Sequence, residues 1–442
     1  MKSVSFYTLG CKLNFSETST LARQFEEKGY KKKKFEDGAD IYLINTCSVT
    51  ENADKKCKKV VNEVLKINPN AFIAIVGCYA QLKPEEISDI AGVDVVLGAK
   101  EKFMLHELID DFSKRSDAKI FSGEISQADH FHAAFSSDDR TRTFLKVQDG
   151  CDYSCTFCTI PLARGSSRSD SIDEIIKRVQ NTVDKNVKEL VLTGVNTGDF
   201  GLRNGKREER FIDLIKALDN LNEIPRIRIS SIEPNLLHDE IITFVSQSNH
   251  FVPHFHIPLQ SGSDKILKRM KRRYLSNLYI DRVYKIKSLM PHCSIGVDVI
   301  VGFPGEKEED FIATYQLLNE LDITYLHVFP YSERENTPAK SMQEIVPWEL
   351  RLERAKMLRN LSVKKKRYFY EQFVGRRAQV LFEQEVKDGK MHGFTENYIK
   401  VVTDYDPLLV NTIQEVELTG INAKGIMEIN LDRVYETHPV AN

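Results

Sequence analysis

The stretch FLKVQDGCDYSCTFCTIPLARGSSRS, residues Phe144 to Ser169, carries three cysteines in a CxxxCxxC pattern. Its first four residues form a short apolar run that predicts a strand, and Gly150 suits the turn that follows. Loops at the carboxyl ends of strands are where α/β sheets bind their ligands. We therefore expect a ligand site in this loop, built from Cys151, Cys155 and Cys158.

Three thiolates in one compact loop favour an iron-sulfur cluster. Thiolate is the usual protein ligand of such clusters, and three thiolates can hold three irons of a cubane while the fourth iron stays open to a chelating molecule. A structural zinc site would be closed by four ligands, and no fourth Cys or His lies in this stretch. A disulfide framework is disfavoured by the unpaired spacing. Zinc and disulfides remain the alternatives.

The length, charge and cysteine content of the chain limit the class of protein it can be. Its 442 residues predict two or three domains. The formal net charge of -2 provides no overall basic surface, so a nucleic-acid partner would have to bind local patches. No signal peptide and no apolar run of roughly 18 residues is visible, which predicts a cytoplasmic protein without a membrane partner. In that reducing compartment the eight cysteines serve metals or catalysis more often than crosslinks.

Residues 1–115 alternate strands and helices, which predicts a parallel βα sheet. A cysteine closely follows each of three strands, predicted near residues 4–9, 41–45 and 72–76: Cys11, Cys47 and Cys78. Parallel strands end at one edge of a sheet, so these thiols can converge on a second three-cysteine cluster site. The alternative is three separately buried cysteines, packed as small hydrophobes. Cys57 and Cys293 fit neither pattern, and we expect them to be structural.

Strands and helices alternate again over residues 137–370, after a polar segment at 117–140 that we interpret as a linker. Six strands are predicted, near residues 145, 190–193, 226–230, 254–258, 295–301 and 325–329. One continuous helix is predicted over residues 265–290. Six βα units are too few for an eight-stranded barrel, so we expect a partial (β/α)6 barrel with its site at the carboxyl ends of the strands.

Polar residues just past these strand ends are the cofactor-binding candidates. They are Thr193, Gly194, Asn196, Ser230, Glu233, Gln260 and Asp298. Arg272 is added because a planar guanidinium pairs well with a carboxylate. For each residue taken singly, a role in a turn or a helix cap is the alternative.

Residues 371–437 read as short alternating strands, which predicts a small all-β, OB-like barrel of the nucleic-acid-binding kind. Phe394 and Tyr398 are candidates for stacking on bases, with Arg376 and Arg377 on phosphates. Core packing is the alternative for both aromatics. Two basic stretches, residues 268–273 and 364–367, are the candidate RNA contacts outside this domain.

The CxxxCxxC loop, with aromatic Phe157 before its last cysteine, resembles the radical S-adenosylmethionine (SAM) signature. This resemblance adds Phe157 to the cofactor-binding candidates. In that superfamily the open iron chelates the amino and carboxylate groups of SAM, and an electron from the cluster cleaves SAM to a 5′-deoxyadenosyl radical. Nearly the whole chain resembles the methylthiotransferases. The matching stretches are residues 45–50, 77–78, 150–152, 163–165, 231–234, 256–263 and 301–306. The resemblance implies an N-terminal domain with an auxiliary cluster, a radical SAM core and a C-terminal TRAM domain.

The resemblance implies a tRNA methylthiotransferase (EC 2.8.4.-) that converts N6-threonylcarbamoyladenosine-37 to its 2-methylthio derivative. The implied cofactors are two 4Fe-4S clusters and SAM, with no catalytic side chain assigned beyond the clusters. The implied partners are the tRNA anticodon stem-loop, an electron donor and a sulfur source. The alternatives are the same chemistry on isopentenyladenosine-37 or on a ribosomal-protein aspartate, a radical SAM methyltransferase without sulfur chemistry, and an iron-sulfur RNA-binding redox sensor.

Overall fold

A six-stranded parallel sheet forms the N-terminal unit of the computed structural model, which describes residues 2–48, 51–125, 130–136, 141–183, 186–203 and 205–431. Its strands are β1 (Ser3–Thr8), β2 (Lys31–Lys32), β3 (Ile41–Thr46), β4 (Phe72–Gly77), β5 (Val95–Leu97) and β6 (Lys119–Phe121), in the order β2-β1-β3-β4-β5-β6. The accompanying helices are α1 (Lys12–Glu27), α2 (Glu51–Ile67), α3 (Cys78–Leu82), α4 (Pro84–Ser88) and α5 (Leu105–Leu108). β3 and β4 are buried along their whole length, as expected for strands covered on both faces.

The last strand of this sheet lies beyond residue 115, the predicted end of the N-terminal domain. β6 pairs in parallel with β5 inside the segment that was interpreted as a linker. A three-residue edge strand that is largely exposed carries too short a pattern to be recognised. Residues 126–129 and 137–140 of the interpreted linker lie outside the described residues.

The second unit is an open parallel barrel. Its strands and short hairpin strands are β7 (Arg142–Lys146), β8 (Gln148–Asp149), β9 (Arg168–Ser169), β10 (Glu189–Thr193), β11 (Leu202–Arg203), β12 (Lys206–Arg207), β13 (Arg226–Ile229), β14 (His254–His256), β15 (Ser294–Val301) and β16 (Tyr325–Pro330). The strands form two parallel triplets, β7-β10-β13 and β14-β15-β16. Isolated β-bridges from Ile227 to Phe251 and from Ser231 to His256 join the two triplets. The predicted partial six-stranded barrel is confirmed.

Seven helices accompany the barrel in the described part of the chain: α6 (Ile160–Arg164), α7 (Ile172–Val183), α8 (Phe211–Asp219), α9 (Asp239–Gln247), α10 (Asp264–Arg269), α11 (Ser276–Leu289) and α12 (Glu308–Glu320). The prediction of one continuous helix over residues 265–290 is wrong. Lys271 has a left-handed backbone, with φ of 55°, which ends α10. The break places Arg272 outside both helices, where its side chain reaches the cysteine loop.

The inner face of the barrel is polar. Along β13, Ile227 and Ile229 pack into the core beneath the helices, so the alternating Arg228 points to the opposite face. By the same alternation, polar side chains of the other strands face the inside of the barrel. They are Arg142, Glu189, His254, His256, Asp298, Tyr325 and His327. The lumen is therefore lined by groups able to bind a polar ligand.

Helix α13 (Trp348–Glu371) leads into a closed five-stranded barrel, as predicted for the C-terminal domain. Its strands are β17 (Arg377–Lys387), β18 (Lys390–Thr395), β19 (Lys400–Asp404), β20 (Ile413–Ile421) and β21 (Met427–Asn430), in the order β17-β18-β19-β21-β20. Among the described helices, none combines the length and the apolar character needed to cross a bilayer.

The C-terminal barrel covers the amino-terminal ends of the central strands. Tyr398 stacks on Phe394 with ring centroids 4.8 Å apart and packs 4.6 Å from His254. The guanidinium of Arg142 lies 4.7 Å from the Phe394 ring. The suggestion that these two aromatics stack on bases is wrong, because domain packing occupies both rings. Of the two suggested phosphate contacts, Arg377 pairs with Glu415 at 3.1 Å.

Candidate functional site

The CxxxCxxC loop begins where β7 and β8 end, and it is closed by its own backbone. The Cys151 N–H donates to the Gly165 carbonyl at 3.0 Å. Gly150 has φ of 68°, and a Cβ on it would lie 1.9 Å from the Ser166 carbonyl oxygen. Only glycine allows this close approach of the two ends of the loop.

The three thiols of the loop share one buried environment. Burial raises the pKa of Cys151 and of Cys158 to about 12, and each feels the charge of Cys155. Donors surround the sulfurs: the Tyr153 N–H reaches Cys151 Sγ at 3.4 Å, the Ile160 N–H reaches Cys158 Sγ at 3.5 Å, and Arg272 reaches Cys155 Sγ at 3.0 Å. Donors of this kind stabilise thiolates once a metal displaces the protons. None of the three cysteines forms a disulfide with any residue that the structure describes.

Arg272 and Glu233 form one unit beside the loop. The Arg272 guanidinium pairs with the Glu233 carboxylate, donates to Cys155 and also donates to the Tyr274 hydroxyl at 3.3 Å. Burial raises the pKa of Glu233 despite this cation. The fork of Arg272 is thus engaged by the protein itself, and its predicted pairing with a SAM carboxylate stays a prediction.

A cavity of about 210 Å³ opens beside Cys158. Phe157, Gln260 and Asp298, three of the predicted cofactor-binding residues, line it together. Gln260 has a left-handed backbone, with φ of 64°, and its carbonyl accepts from the Ile300 N–H at 2.9 Å. The structure thus brings residues from three distant stretches of chain to the cysteine loop.

Asn196, which Gln148 links to the cysteine loop, carries an unsatisfied amide. Both the Oδ1 and the Nδ2 atoms of Asn196 are buried without a hydrogen-bond partner among the described residues. The Asn196 N–H donates to the Gln148 side-chain carbonyl at 2.9 Å, and Gly194 lies against the same side chain. Buried polar groups are rarely left unpaired in native proteins, so this amide fits a polar ligand such as the SAM amino acid moiety.

Two other predicted residues form hydrogen bonds within the sheet, Thr193 through its side chain and Ser230 through its backbone. The Thr193 hydroxyl donates to the Leu145 carbonyl at 2.9 Å, and the Ser230 N–H donates to the Leu192 carbonyl at 3.1 Å. Gln148, which orients Asn196, was missed by the sequence analysis. Its only signal was its position two residues before the glycine of the cysteine loop.

The three N-terminal cysteines lie at one edge of their sheet. Cys11 caps α1, Cys47 follows β3 and Cys78 opens α3. A Cβ on Gly10 would lie 2.7 Å from the Cys47 Cβ, and Cys78 feels the charge of Cys11. These relationships bring the three cysteines together, as the strand ends predicted. Cys57 and Cys293 are buried in apolar cores, as expected of structural cysteines.

Asn14 ties these strand ends together and was also missed. Its Nδ2 donates to the Leu9 carbonyl at 2.8 Å and to the Thr46 carbonyl at 3.0 Å, while its backbone carbonyl accepts from Asn45 at 3.1 Å. The side chain therefore fixes the distance between the segments that carry Cys11 and Cys47.

A buried ionic network joins the N-terminal cysteine site to the loop of the barrel. Glu17 of α1 accepts from Lys102, Lys146 and Arg164, and the Arg164 guanidinium also reaches Asp149 at 2.9 Å. Burial alone would raise the pKa of Glu17, but Arg164, Lys102 and Lys146 hold it well below its ordinary value. The network fixes the orientation of one domain on the other.

One cleft of about 460 Å³ between the N-terminal domain and the barrel is lined by a sequence neighbour of one cysteine from each site. Tyr79, next to Cys78, and Thr159, next to Cys158, both line it. Its walls are of mixed charge, with Lys58 and Lys83 beside Glu86 and Glu335. A substrate bound here would contact a residue next to one cysteine of each site.

Within the described residues, no three His, Cys, Asp or Glu side chains are arranged around a single metal position. Thiolates of a cubane bind separate irons, so they do not converge on one point. Assignment of the six cysteines as cluster ligands stays a prediction, and the donor set fits it.

The partial barrel with its cysteine loop defines a radical SAM protein, a class that carries a 4Fe-4S cluster and uses SAM. Residues 145–318 match the model of the radical SAM superfamily, and residues 3–98 match the uncharacterized protein family UPF0004. The radical SAM methyltransferase TsrM from Kitasatospora setae is similar in fold, with a TM-score of 0.57, 11% identity and 77% of each chain covered.

Curated relatives extend the similarity to nearly the full length. The threonylcarbamoyladenosine tRNA methylthiotransferase MtaB of Bacillus subtilis (strain 168) is 40% identical, covering 95% of this chain and 94% of its own. That of Aquifex aeolicus (strain VF5) is 37% identical, covering 90% and 96%. A tRNA-2-methylthio-N(6)-dimethylallyladenosine synthase of Methylacidiphilum infernorum (isolate V4) is 33% identical, covering 91% and 89%. This chain belongs to the MtaB family of radical SAM methylthiotransferases.

Proposed function

We propose that this protein converts N6-threonylcarbamoyladenosine-37 of tRNA to its 2-methylthio derivative. The names of the MtaB relatives support this substrate, and their similarity covers nearly the whole chain. The observation that carries the proposal is that one cleft is lined by a sequence neighbour of one cysteine from each three-cysteine site, Tyr79 and Thr159. A methylthio transfer needs radical generation and a sulfur source close to one carbon atom.

The chemistry of the substrate explains why side chains alone are insufficient. Carbon 2 of adenine carries a strong C–H bond that is not acidic, so acid-base residues cannot activate it. When bound, SAM and its cluster supply a 5′-deoxyadenosyl radical that can abstract this hydrogen. The protein's contribution is to position the base, because a misplacement of ~1 Å can cost about 100-fold in rate.

A second 4Fe-4S cluster is part of the proposal. Cys11, Cys47 and Cys78 would hold it and leave one iron open for the sulfur that is transferred. Asn14 and Arg164 would keep this site in place relative to the barrel, through their bond at 2.6 Å. An electron donor and a sulfur source are further partners that the reaction requires.

Of the two basic stretches, the one beside the cysteine loop is better suited to bind tRNA. Lys268, Lys271 and Arg273 are exposed there, and Arg273 donates to the Asp152 carbonyl at 3.1 Å. In the other stretch, Lys365 is occupied by the carbonyls of Asn319 and Leu321. Replacing one lysine that contacts phosphate should lower the salt slope of log affinity by about 0.9.

The test is anaerobic reconstitution followed by nucleoside mass spectrometry of tRNA. We expect about eight irons in the wild type and about four in a Cys11/Cys47/Cys78→Ala variant, because each three-cysteine site holds one cubane. This variant should still cleave SAM but insert no sulfur, whereas Cys155→Ala should cleave no SAM. Four irons in both proteins would refute the second cluster, and a methylthio product on dimethylallyladenosine alone would refute the substrate.

A further inference from the structure

Lys12 is a cation for which the described residues provide no counterion. Lys12 is the half-buried first residue of α1, and α1 packs against β7 of the barrel. Its electrostatic neighbours are Tyr398, Arg142, Arg228 and Glu189. Asp298 and His327 also feel its charge.

The other inward charges have partners. Arg228 donates to both carboxylate oxygens of Glu189, at 2.8 and 3.1 Å. Arg142 pairs with Glu383 at 2.8 Å, outside this group. Asp298 also has a partner, because its Oδ1 atom lies 2.9 Å from His256 Nε2.

Lys12 has neither an ion pair nor a side-chain hydrogen bond to any residue of the described chain. A part-buried ammonium without a partner is unfavourable, because burial removes water that protein groups do not replace. Such a charge indicates an anionic ligand that is bound during function.

The position of Lys12 restricts which anion this can be. The residue directly follows Cys11, and the groups whose charges act on it line the barrel, so its ligand would lie between the proposed auxiliary cluster and the barrel lumen. Phosphates of an RNA backbone follow the exposed surface, whereas enzymes that modify a base take it out of the stack into a pocket. The anion is therefore expected on the base itself.

We propose that Lys12 binds the carboxylate of the threonylcarbamoyl group of the substrate and so selects this nucleoside over uncharged adenosine derivatives. The inference rests on the proposed function. The threonyl group is attached through N6 of adenine and carries the one carboxylate of the modified base. A lysine ammonium is a compact donor that can bind it with a charge-assisted hydrogen bond.

The experiment measures binding of anticodon stem-loop RNAs to the reconstituted enzyme under anaerobic conditions, by fluorescence anisotropy. The RNAs carry N6-threonylcarbamoyladenosine, its methyl ester or plain adenosine at the target position. The proteins are the wild type, Lys12→Met, Lys12→Arg, and Lys28→Met as a control at the exposed far end of α1. Iron content and SAM binding are measured for each protein.

We expect the wild type to bind the acid RNA about tenfold or more tightly than the ester, as a charged hydrogen bond predicts. Lys12→Met should lose this preference while binding the ester and plain RNAs as before, and Lys12→Arg should keep part of it. The Lys28→Met protein should match the wild type.

Equal binding of the acid and ester RNAs by the wild type would overturn the inference without any variant. Equal weakening of all three RNAs by Lys12→Met, or loss of SAM binding alone, would overturn it too. Failure of the proposed function is a separate result: the wild type would then form no methylthio product on the acid RNA, whatever its binding preference.

Discussion

The Arg164 guanidinium donates to the Asn14 side-chain carbonyl at 2.6 Å, across the boundary between the barrel and the N-terminal domain. Arg164 lies six residues after the last cysteine of the barrel loop, and Asn14 lies three residues after Cys11. A single hydrogen bond thus connects the backbone segments of the two cysteine sites. Any change in the docking of the domains would change the distance between these sites.

Replacing Arg164 should separate the two sites. In Arg164→Met, Glu17 and Asp149 lose a buried cation, and breaking such a pair costs about 3 to 5 kcal/mol. We expect a lower melting temperature and a reduced iron content at the N-terminal site. Arg210→Met is the control, because Arg210 pairs with Asp213 on the exposed surface. An equal effect of both changes would contradict a special role for Arg164.

The ionic network around Glu17 should make the stability of the fold depend on pH. In the folded protein the pKa of Glu17 lies below its ordinary value. As the pH falls, the Glu17 carboxylate is therefore protonated in the unfolded chain before it is protonated in the folded one, which favours unfolding. The stabilisation is complete above the unfolded pKa of about 4.3 and is lost progressively below it. We expect Glu17→Gln to lower the melting temperature of the cluster-free chain strongly at neutral pH and less at about pH 3. Glu63→Gln, which removes an exposed partner of Lys59, should have little effect at either pH.

Gly150→Ala should prevent cluster assembly in the barrel loop. The added Cβ would lie 1.9 Å from the Ser166 carbonyl oxygen, so the loop cannot close. Gly29→Ala is the control for backbone strain alone. Gly29 also has a positive φ of 86°, but no atom lies within 4 Å of its added Cβ, so this variant has the strain without the clash. We expect iron loss in the first variant and only about 1 to 2 kcal/mol of destabilisation in the second. Normal iron binding by Gly150→Ala would show that the loop adapts.

Removing the unsatisfied amide should weaken SAM binding without weakening the fold. Both polar atoms of the Asn196 side chain lack partners in the described structure, so Asn196→Ala removes a desolvation cost. We expect an unchanged or higher melting temperature and a SAM affinity lower by about tenfold, measured by equilibrium dialysis of the reconstituted enzyme. Asn220→Ala, at an exposed helix end, should leave both quantities unchanged. A lower melting temperature with normal SAM affinity would assign Asn196 a structural role.

Features coded by local pattern were predictable from the sequence. Apolar runs predict the strands of both parallel units. Cys151, Cys155 and Cys158 lie within one loop, so their spacing in sequence was enough to predict that they share a site. The convergence of Cys11, Cys47 and Cys78 was also predictable, because parallel strands end at one edge of a sheet. Each of these conclusions needs only residues that are close in sequence or a general rule of sheet geometry.

The tertiary structure decided the features that depend on distant segments meeting. The helix predicted over residues 265–290 is divided at Lys271, where Arg272 reaches Cys155. Tyr398 packs into the barrel instead of facing an RNA base, because its surroundings come from another domain. The Arg164–Asn14 bond and the unpaired Lys12 have no local signature in sequence. Burial and charge pairing are properties of the assembled chain, since they depend on which groups exclude water from one another.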